Sequence, residues 1–460
     1  MASTTDLALL ALRAYSTPTA TDGTNVELNR PAIPTGWEEL EYQPDGRLGF
    51  SYGVFRKTGT TEVVVAYAGT NQNIDWLANL SSGIGLSSSQ TTEAALAYIS
   101  AKQQYGSNIT LTGHSLGGGL ASIMAVWFNR PAEVFDEAPF ELTARSPWVI
   151  PATKAALALA GFSDPAFTGY NGISDFTARE ANVTNHYLEG EALAGFRAAL
   201  PTVMGQDNLI RVNGVDMTGF EGAKQLHSQS LLTAMLMSDS FRQSTYASTR
   251  VIPLLMDKNF YAFDAATSNQ QNVLINFIRS EQGTGGKLSH FANDLFKLGG
   301  NLAGLNKAAQ DAIIAQGIEW YYGQGSGTGQ EFFNANSGTG LLQYTTAIGD
   351  GQANAQNKAA RFAEKWLAPI VNDHGEFYST GFTTYEQWNV ATSSSGATAT
   401  AAKAGKTQIF IGGAGGDTFT GGDLGDVMFA GAGNDSLNGG GGNDWLYGGA
   451  GNDTLKGGAG

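Results

Sequence analysis

The alternation of apolar and polar positions divides this chain into short strands, helices and a glycine-rich tail. Arg47 to Arg56 alternates with the period of a half-buried strand, and Lys57-Thr58-Gly59-Thr60 reads as the turn that ends it. Glu62–Ala68 is a β-branched run without alternation, as expected of a central strand buried on both faces. Thr91–Gln104 repeats its apolar positions at helical spacing, and Ile109–Thr112 is a second apolar strand, so the three segments make a β-α-β unit. An Ala-rich helix is expected from Leu120 to about Phe128, and a further strand at Val183–Leu188. At the start, Asp6 precedes the apolar run Leu7–Leu12, which suits a capped helix; no basic leader marks a cleaved signal.

Beyond Asn129 the pattern loosens. Pro131, Pro139, Pro147, Pro151 and Pro165 punctuate an apolar helix near Ala152–Ala160, which reads either as a lid or as a packed surface insertion. Helical stretches recur at Gln271–Arg279, Phe291–Leu298 and Lys358–Leu367, and residues 391–406 are small and polar, as in a linker. The expected organisation is therefore a core over residues 1–235, a mainly helical extension over 236–390, a linker over 391–411 and a repeat module over 412–460. No stretch approaches the ~20 apolar residues of a membrane span.

Composition narrows the chemistry. The chain has 460 residues, enough for one large domain and a smaller module, and its 61 glycines exceed what a plain globular core uses. A net charge of −15 argues against nucleic acid as a partner. With no cysteine, disulfides, thiolate metal sites and cysteine nucleophiles are all excluded.

What remains is serine chemistry. Gly113-His114-Ser115-Leu116-Gly117 follows the Ile109 strand and precedes a helix. A serine hydroxyl is a weak nucleophile until a sharp turn exposes it and a base activates it. The flanking glycines allow such a turn, and the following helix points its N–H groups at the reacting oxygen. Acyl transfer also needs two donors for the developing oxyanion. The Leu116 N–H is one, and Gly69-Thr70, at the end of the earlier central strand, is placed to supply the other.

The pair VVVAYAGTNQNIDWLANL and ITLTGHSLGGGLASIMA resembles the class 3 lipases, an α/β-hydrolase branch that cleaves lipid esters. The likeness covers roughly residues 50–235. It retains Gly69-Thr70 and Asp75-Trp76 but has Tyr67-Ala68 where the family carries Phe-Arg. The resemblance implies an α/β fold with a Ser-acid-His order. Its acid follows a strand end, which places Glu191 there; Asp164, in an Asp-Pro-Ala-Phe context found at the acid of other lipases, competes, followed by Asp175 and Glu189. Its histidine precedes the last helix, matching His227 in Leu226-His227-Ser228; His290 and His186 are alternatives, and His114 points away.

From Gly412 the sequence repeats every nine residues: GGAGGDTFT, GGDLGDVMF, AGAGNDSLN, GGGGNDWLY, GGAGNDTLK. The sixth position is Asp417, Asp426, Asp435, Asp444 and Asp453; the eighth is Phe419, Met428, Leu437, Leu446 and Leu455. The pattern resembles the RTX nonapeptide repeats, which stack as a parallel β-roll and bind Ca²⁺. Carboxylates and glycine carbonyls are hard oxygen ligands suited to that ion, with Gly412, Gly421, Gly439 and Gly448 opening their repeats. The resemblance further implies type I export to the extracellular medium. The last repeat stops after Gly457–Gly460, so the natural chain is expected to continue.

These readings combine into a secreted, calcium-dependent serine lipase or esterase acting at a lipid–water interface. Phospholipase A1 and a polyester esterase use the same machinery, and an RTX surface or toxin-like protein with an inactive hydrolase domain is the alternative from another class.

Overall fold

The computed structural model describes residues 1–15, 30–44, 50–68, 88–193, 206–211, 219–247, 251–256, 273–303, 314, 317–318, 321, 333–335, 341–344, 385–391, 398–400, 407–411, 415–430, 433–449 and 451–460. The oxyanion segment with Thr70 and Asp75-Trp76, the helix expected at Lys358–Leu367, most of the linker and Gly412 lie outside the described residues. The chain forms two compact units, Met1–Asp239 with Asp264–Gln282, and Ser240–Phe263 with Gly283–Gly460.

The first unit is built on a mixed sheet of seven strands in sequence order: β1 (Trp37–Gln43), β2 (Tyr52–Lys57), β3 (Val63–Tyr67), β4 (Ile109–His114), β5 (Ala132–Phe135), β6 (Val183–Leu188) and β7 (Gln206–Ile210). The first three pair antiparallel, and between β2 and β3 the short turn at Gly59 (φ 73°) returns the chain directly. From β3 to β7 every pair is parallel. Their register aligns Tyr67 with Gly113, His114 with Phe135, and Phe135 with His186. The carboxyl ends therefore finish at one edge, where open α/β sheets gather functional groups.

Strand periodicity sorts the two faces. Val63, Val65, Tyr67, Leu111 and Val134 join one buried cluster with residues of α2 (Ser88–Tyr105) and α3 (Leu116–Phe128). The opposite face is covered by α1 (Thr4–Arg13), whose Leu7 carbonyl accepts from Thr112 of β4. Ser3 and Asp6 cap α1 reciprocally, and Leu7–Leu12 are all buried. Two helices complete this cover: α6 (Gln229–Met237) packs on α1, and α7 (Val273–Gln282) on α6.

Three differences from the sequence reading have physical causes. The α3 helix starts at Leu116, not Leu120, because its glycines are required by close backbone contacts and stay helical. Strand β5 is only four residues long and follows Pro131, too short to show a period. Strand β7 begins Gln206-Asp207-Asn208, a polar run that suits the edge of a sheet. Between β5 and β6 the apolar helix α4 (Val149–Leu159) packs on α2, while Leu142, Trp148, Leu159 and Ile173 leave large apolar side chains in solvent.

In the second unit, strands two repeats apart pair in parallel: Phe410 with Met428, Met428 with Leu446, Phe419 with Leu437, and Leu437 with Leu455. Phe410, Phe419, Met428 and Leu437 form a small buried core, against which Leu446 packs.

Candidate active site

The turn between β4 and α3 is tight enough to exclude side chains. A Cβ on Gly117 would lie 2.2 Å from the Tyr67 carbonyl oxygen, and one on Gly113 would lie 2.4 Å from the Gly117 oxygen. Ser115 between them takes φ 56°, ψ −124°, a conformation costing on the order of 1–3 kcal/mol for a residue with a side chain. The surroundings hold it there: the Ser115 N–H donates to the Phe135 carbonyl at 3.0 Å, and the Ser115 carbonyl accepts from Gly119 and Ala138. Leu116 opens α3, so its N–H belongs to the first turn that has no intrahelical acceptor. The end of β3 presses on Gly117, with the Tyr67 and Ala68 backbone as its nearest neighbours.

His227 follows α5 (Gly219–Leu226) and precedes Ser228, whose hydroxyl caps α6. Its Nε2 lies 2.9 Å from Ser115 Oγ, and its Nδ1 lies 2.6 Å from Glu191 Oε2. Glu191, in the turn after β6, is buried, and the same oxygen accepts the Leu193 N–H at 2.7 Å. A carboxylate bonded to Nδ1–H leaves Nε2 as the acceptor for the serine proton. Serine, imidazole and carboxylate from three separate segments thus form one hydrogen-bonded line.

The other candidates are engaged elsewhere. Asp164 caps the short helix Pro165–Thr168 and is paired with Lys102 at 2.5 Å. Asp175 accepts the Asn171 N–H, and His186 Nε2 meets Glu133 at 2.7 Å while its ring stacks on Phe135. His290 lies on the helix Lys287–Ala303 in the second unit.

His114 lies beside the line rather than in it. Its ring is buried with its centroid 4.8 Å from that of His227, Tyr15 Oη is 2.7 Å from its Nδ1, and Asp136 Oδ2 is 3.6 Å from its Nε2. Asp136 and Tyr15 escaped the sequence reading. The available signal was Asp136-Glu137 directly after the apolar pair Val134-Phe135, a carboxylate at a strand end like Glu191.

In the tail, the close approach of first and sixth positions explains the residue types. A Cβ on Gly421, Gly439 or Gly448 would lie 2.1, 2.0 or 2.3 Å from the carboxylate of Asp426, Asp444 or Asp453. One oxygen of Asp435, Asp444 and Asp453 accepts the N–H of Asp417, Asp426 and Asp435, respectively, one turn across. The other oxygens of Asp435 and Asp444 are buried and accept no hydrogen bond from the described residues. Burial holds both carboxyls above the usual carboxylate range, opposed by the backbone bond each receives. Buried, under-bonded carboxylate oxygens on glycine-walled turns fit a hard cation such as Ca²⁺.

Comparison with known proteins agrees with both halves. The family described as Tle-like phospholipase domain matches residues 6–238, and the RTX calcium-binding nonapeptide repeat matches 408–437 and 429–460. The extracellular phospholipase A1 of Serratia liquefaciens is 37% identical over 94 residues, which are 20% of this chain and 29% of that protein. The Lip2 lipase structure from Yarrowia lipolytica, 16% identical, superposes with a TM-score of 0.26 over 45% of this chain and 77% of its own.

Proposed function

This chain belongs to the family of Tle-like phospholipase domains and carries RTX calcium-binding repeats, and from that premise we propose that it is a secreted serine hydrolase of glycerophospholipid acyl esters. The observation that carries the reading is the Ser115–His227–Glu191 line, with separations of 2.9 and 2.6 Å. Ser115 Oγ attacks the acyl carbonyl as its proton passes to His227 Nε2, and Glu191 holds the imidazolium in register. The Leu116 and Thr70 N–H groups receive the oxyanion. His227 returns the proton to the departing lysophospholipid alkoxide, and water, activated by the same imidazole, releases the fatty acid.

Phospholipid is favoured over triacylglycerol by the family and by the Serratia relative, whose name is extracellular phospholipase A1. The exposed Leu142, Trp148, Leu159 and Ile173 supply an apolar surface beside the core for contact with a lipid–water interface. In the tail, Asp417, Asp426, Asp435, Asp444 and Asp453, with the carbonyls of Gly412, Gly421, Gly439 and Gly448, would hold Ca²⁺ in a parallel β-roll. The bound ion supplies charge neutralisation that lets stacked carboxylates fold. Calcium is scarce in cytosol, so folding would follow export by a type I system.

Phosphatidylcholine carrying different acyl chains at its two positions tests the reading. The expected products are the first-position fatty acid and its complementary lysophospholipid, formed by wild type and abolished in Ser115→Ala. Equal rates for the two proteins would refute it, and release confined to triacylglycerol would make this a lipase instead.

A further inference from the structure

Beside the serine line runs a second buried chain of polar groups. Tyr15 follows α1, His114 ends β4 and Asp136 follows β5 at φ 44°, a left-handed conformation that a non-glycine residue adopts only under constraint. Asp136 is wholly buried, donates its N–H to the His186 carbonyl at 2.8 Å, and accepts the Leu188 N–H on Oδ1 at 3.1 Å. Its Oδ2 faces His114 Nε2 at 3.6 Å. One ligand-type atom each from His114, Asp136 and His227 lies within 4.8 Å of the others. The imidazole of His227 therefore has two carboxylates near it, Glu191 in contact and Asp136 one step removed.

The charge states follow from the ring geometry. During acyl transfer His227 takes up a proton, and an adjacent imidazolium with its centroid at 4.8 Å would oppose that. A neutral His114 with Nε2–H toward Asp136 leaves Nδ1 to face the Tyr15 hydroxyl, 2.7 Å away, which also reaches the His114 carbonyl oxygen at 3.1 Å. The neutral ring leaves the charge of Asp136 uncancelled, and the Leu188 N–H on Oδ1 holds the carboxylate. Its field then acts on the cation forming at His227, in surroundings that exclude water.

We propose that Asp136, held by the Leu188 N–H beside His114, is a positioning residue for His227: a second carboxylate that stabilises the imidazolium without touching substrate. The cluster holds the titratable groups Tyr15, His114, Asp136, His227 and Glu191. The inference rests on the proposed serine chemistry, so the two must be tested separately.

The experiment measures kcat/KM against pH for wild type, Ser115→Ala, Asp136→Asn and His114→Leu on a soluble p-nitrophenyl ester. Loss of activity in Ser115→Ala establishes the serine reading independently. Asparagine keeps the acceptor for Leu188 and tolerates the left-handed backbone, so Asp136→Asn removes chiefly the charge. Removing a nearby opposite charge moves a titration by about one unit, so the acidic limb should shift about one unit downward and plateau kcat should fall about tenfold, with KM unchanged. His114→Leu sets an apolar side chain against the buried carboxylate oxygen, so Asp136 takes up a proton and the limb moves in the same direction. It gives a second reading if Asp136→Asn does not fold. An acidic limb coincident with wild type in either folded variant, while Ser115→Ala is inactive, overturns the role of Asp136 and leaves the serine reading intact.

Discussion

Glu191→Gln isolates the charge behind the imidazole. Glu191 Oε2 takes both local bonds, 2.6 Å from His227 Nδ1 and 2.7 Å from the Leu193 nitrogen. A glutamine oxygen can accept both, so the substitution removes the negative charge and keeps the shape. Once His227 carries the serine proton, charges about 4 Å apart at an effective dielectric near 20 attract by roughly 4 kcal/mol. The glutamine amide dipole retains part of this, leaving about 3 kcal/mol, or on the order of a hundredfold in kcat. The ground-state complex contains a neutral imidazole, so KM should change by no more than about twofold. Initial rates on a soluble ester, with circular dichroism melts to show that the variant is folded, make the measurement. A folded Glu191→Gln protein with kcat reduced less than about fivefold would mean that the stabilising charge is not Glu191.

Three further outcomes follow from the same geometry. Gly117→Ala puts a methyl 2.2 Å from the Tyr67 oxygen and must displace the strand end leading to Thr70; overpacking of this kind costs about 1–3 kcal/mol, and kcat should fall at least about tenfold in soluble protein. Gly118→Ala, with its nearest neighbour at 3.1 Å, should be much milder, and equal effects would contradict the elbow geometry. Trp148→Ser should raise the apparent KM on phospholipid vesicles and leave hydrolysis of a soluble ester unchanged; equal effects on both substrates would remove Trp148, 83% exposed, from the lipid contact. For the tail, carboxyls raised at Asp435 and Asp444 mean that the calcium-free folded form binds more protons than the unfolded chain. The stability of that form therefore falls as pH rises from the ordinary Asp range through the raised values, and above them chelator should lower the Tm of the calcium-loaded protein; calcium should bind more weakly as pH drops through that window, and a Tm indifferent to calcium would contradict the site.

The parts of this molecule legible in its sequence are those fixed by local backbone physics. Glu62–Ala68 announces β3 by its unbroken β-branched run, and all five strand residues are buried. Gly113 and Gly117 announce the turn at Ser115 because no larger residue fits against Tyr67. His227 could be placed ahead of a helix because Ser228 is a cap residue, and the structure brings it to Ser115. Glu191 was not deducible from spacing alone: its selection needed the order of strands in related hydrolases, since Asp164 has equally good local chemistry and is instead spent on a helix cap and Lys102. Asp136 was missed because β5, four residues long, shows no period, which left the acidic pair after Val134-Phe135 as its one weak signal. His114 was read only as turned from the serine; that its ring lies 4.8 Å from that of His227, between centroids, depends on chain far downstream, which no local period shows.

Reaction of the intact protein with a fluorophosphonate ester, followed by peptide mass mapping, tests the serine–imidazole pairing most directly. A single phosphonyl adduct on Ser115 is predicted, formed rapidly in wild type, strongly slowed in His227→Ala and absent in Ser115→Ala. An adduct on a different serine, or a labelling rate at Ser115 that ignores the loss of His227, would contradict it.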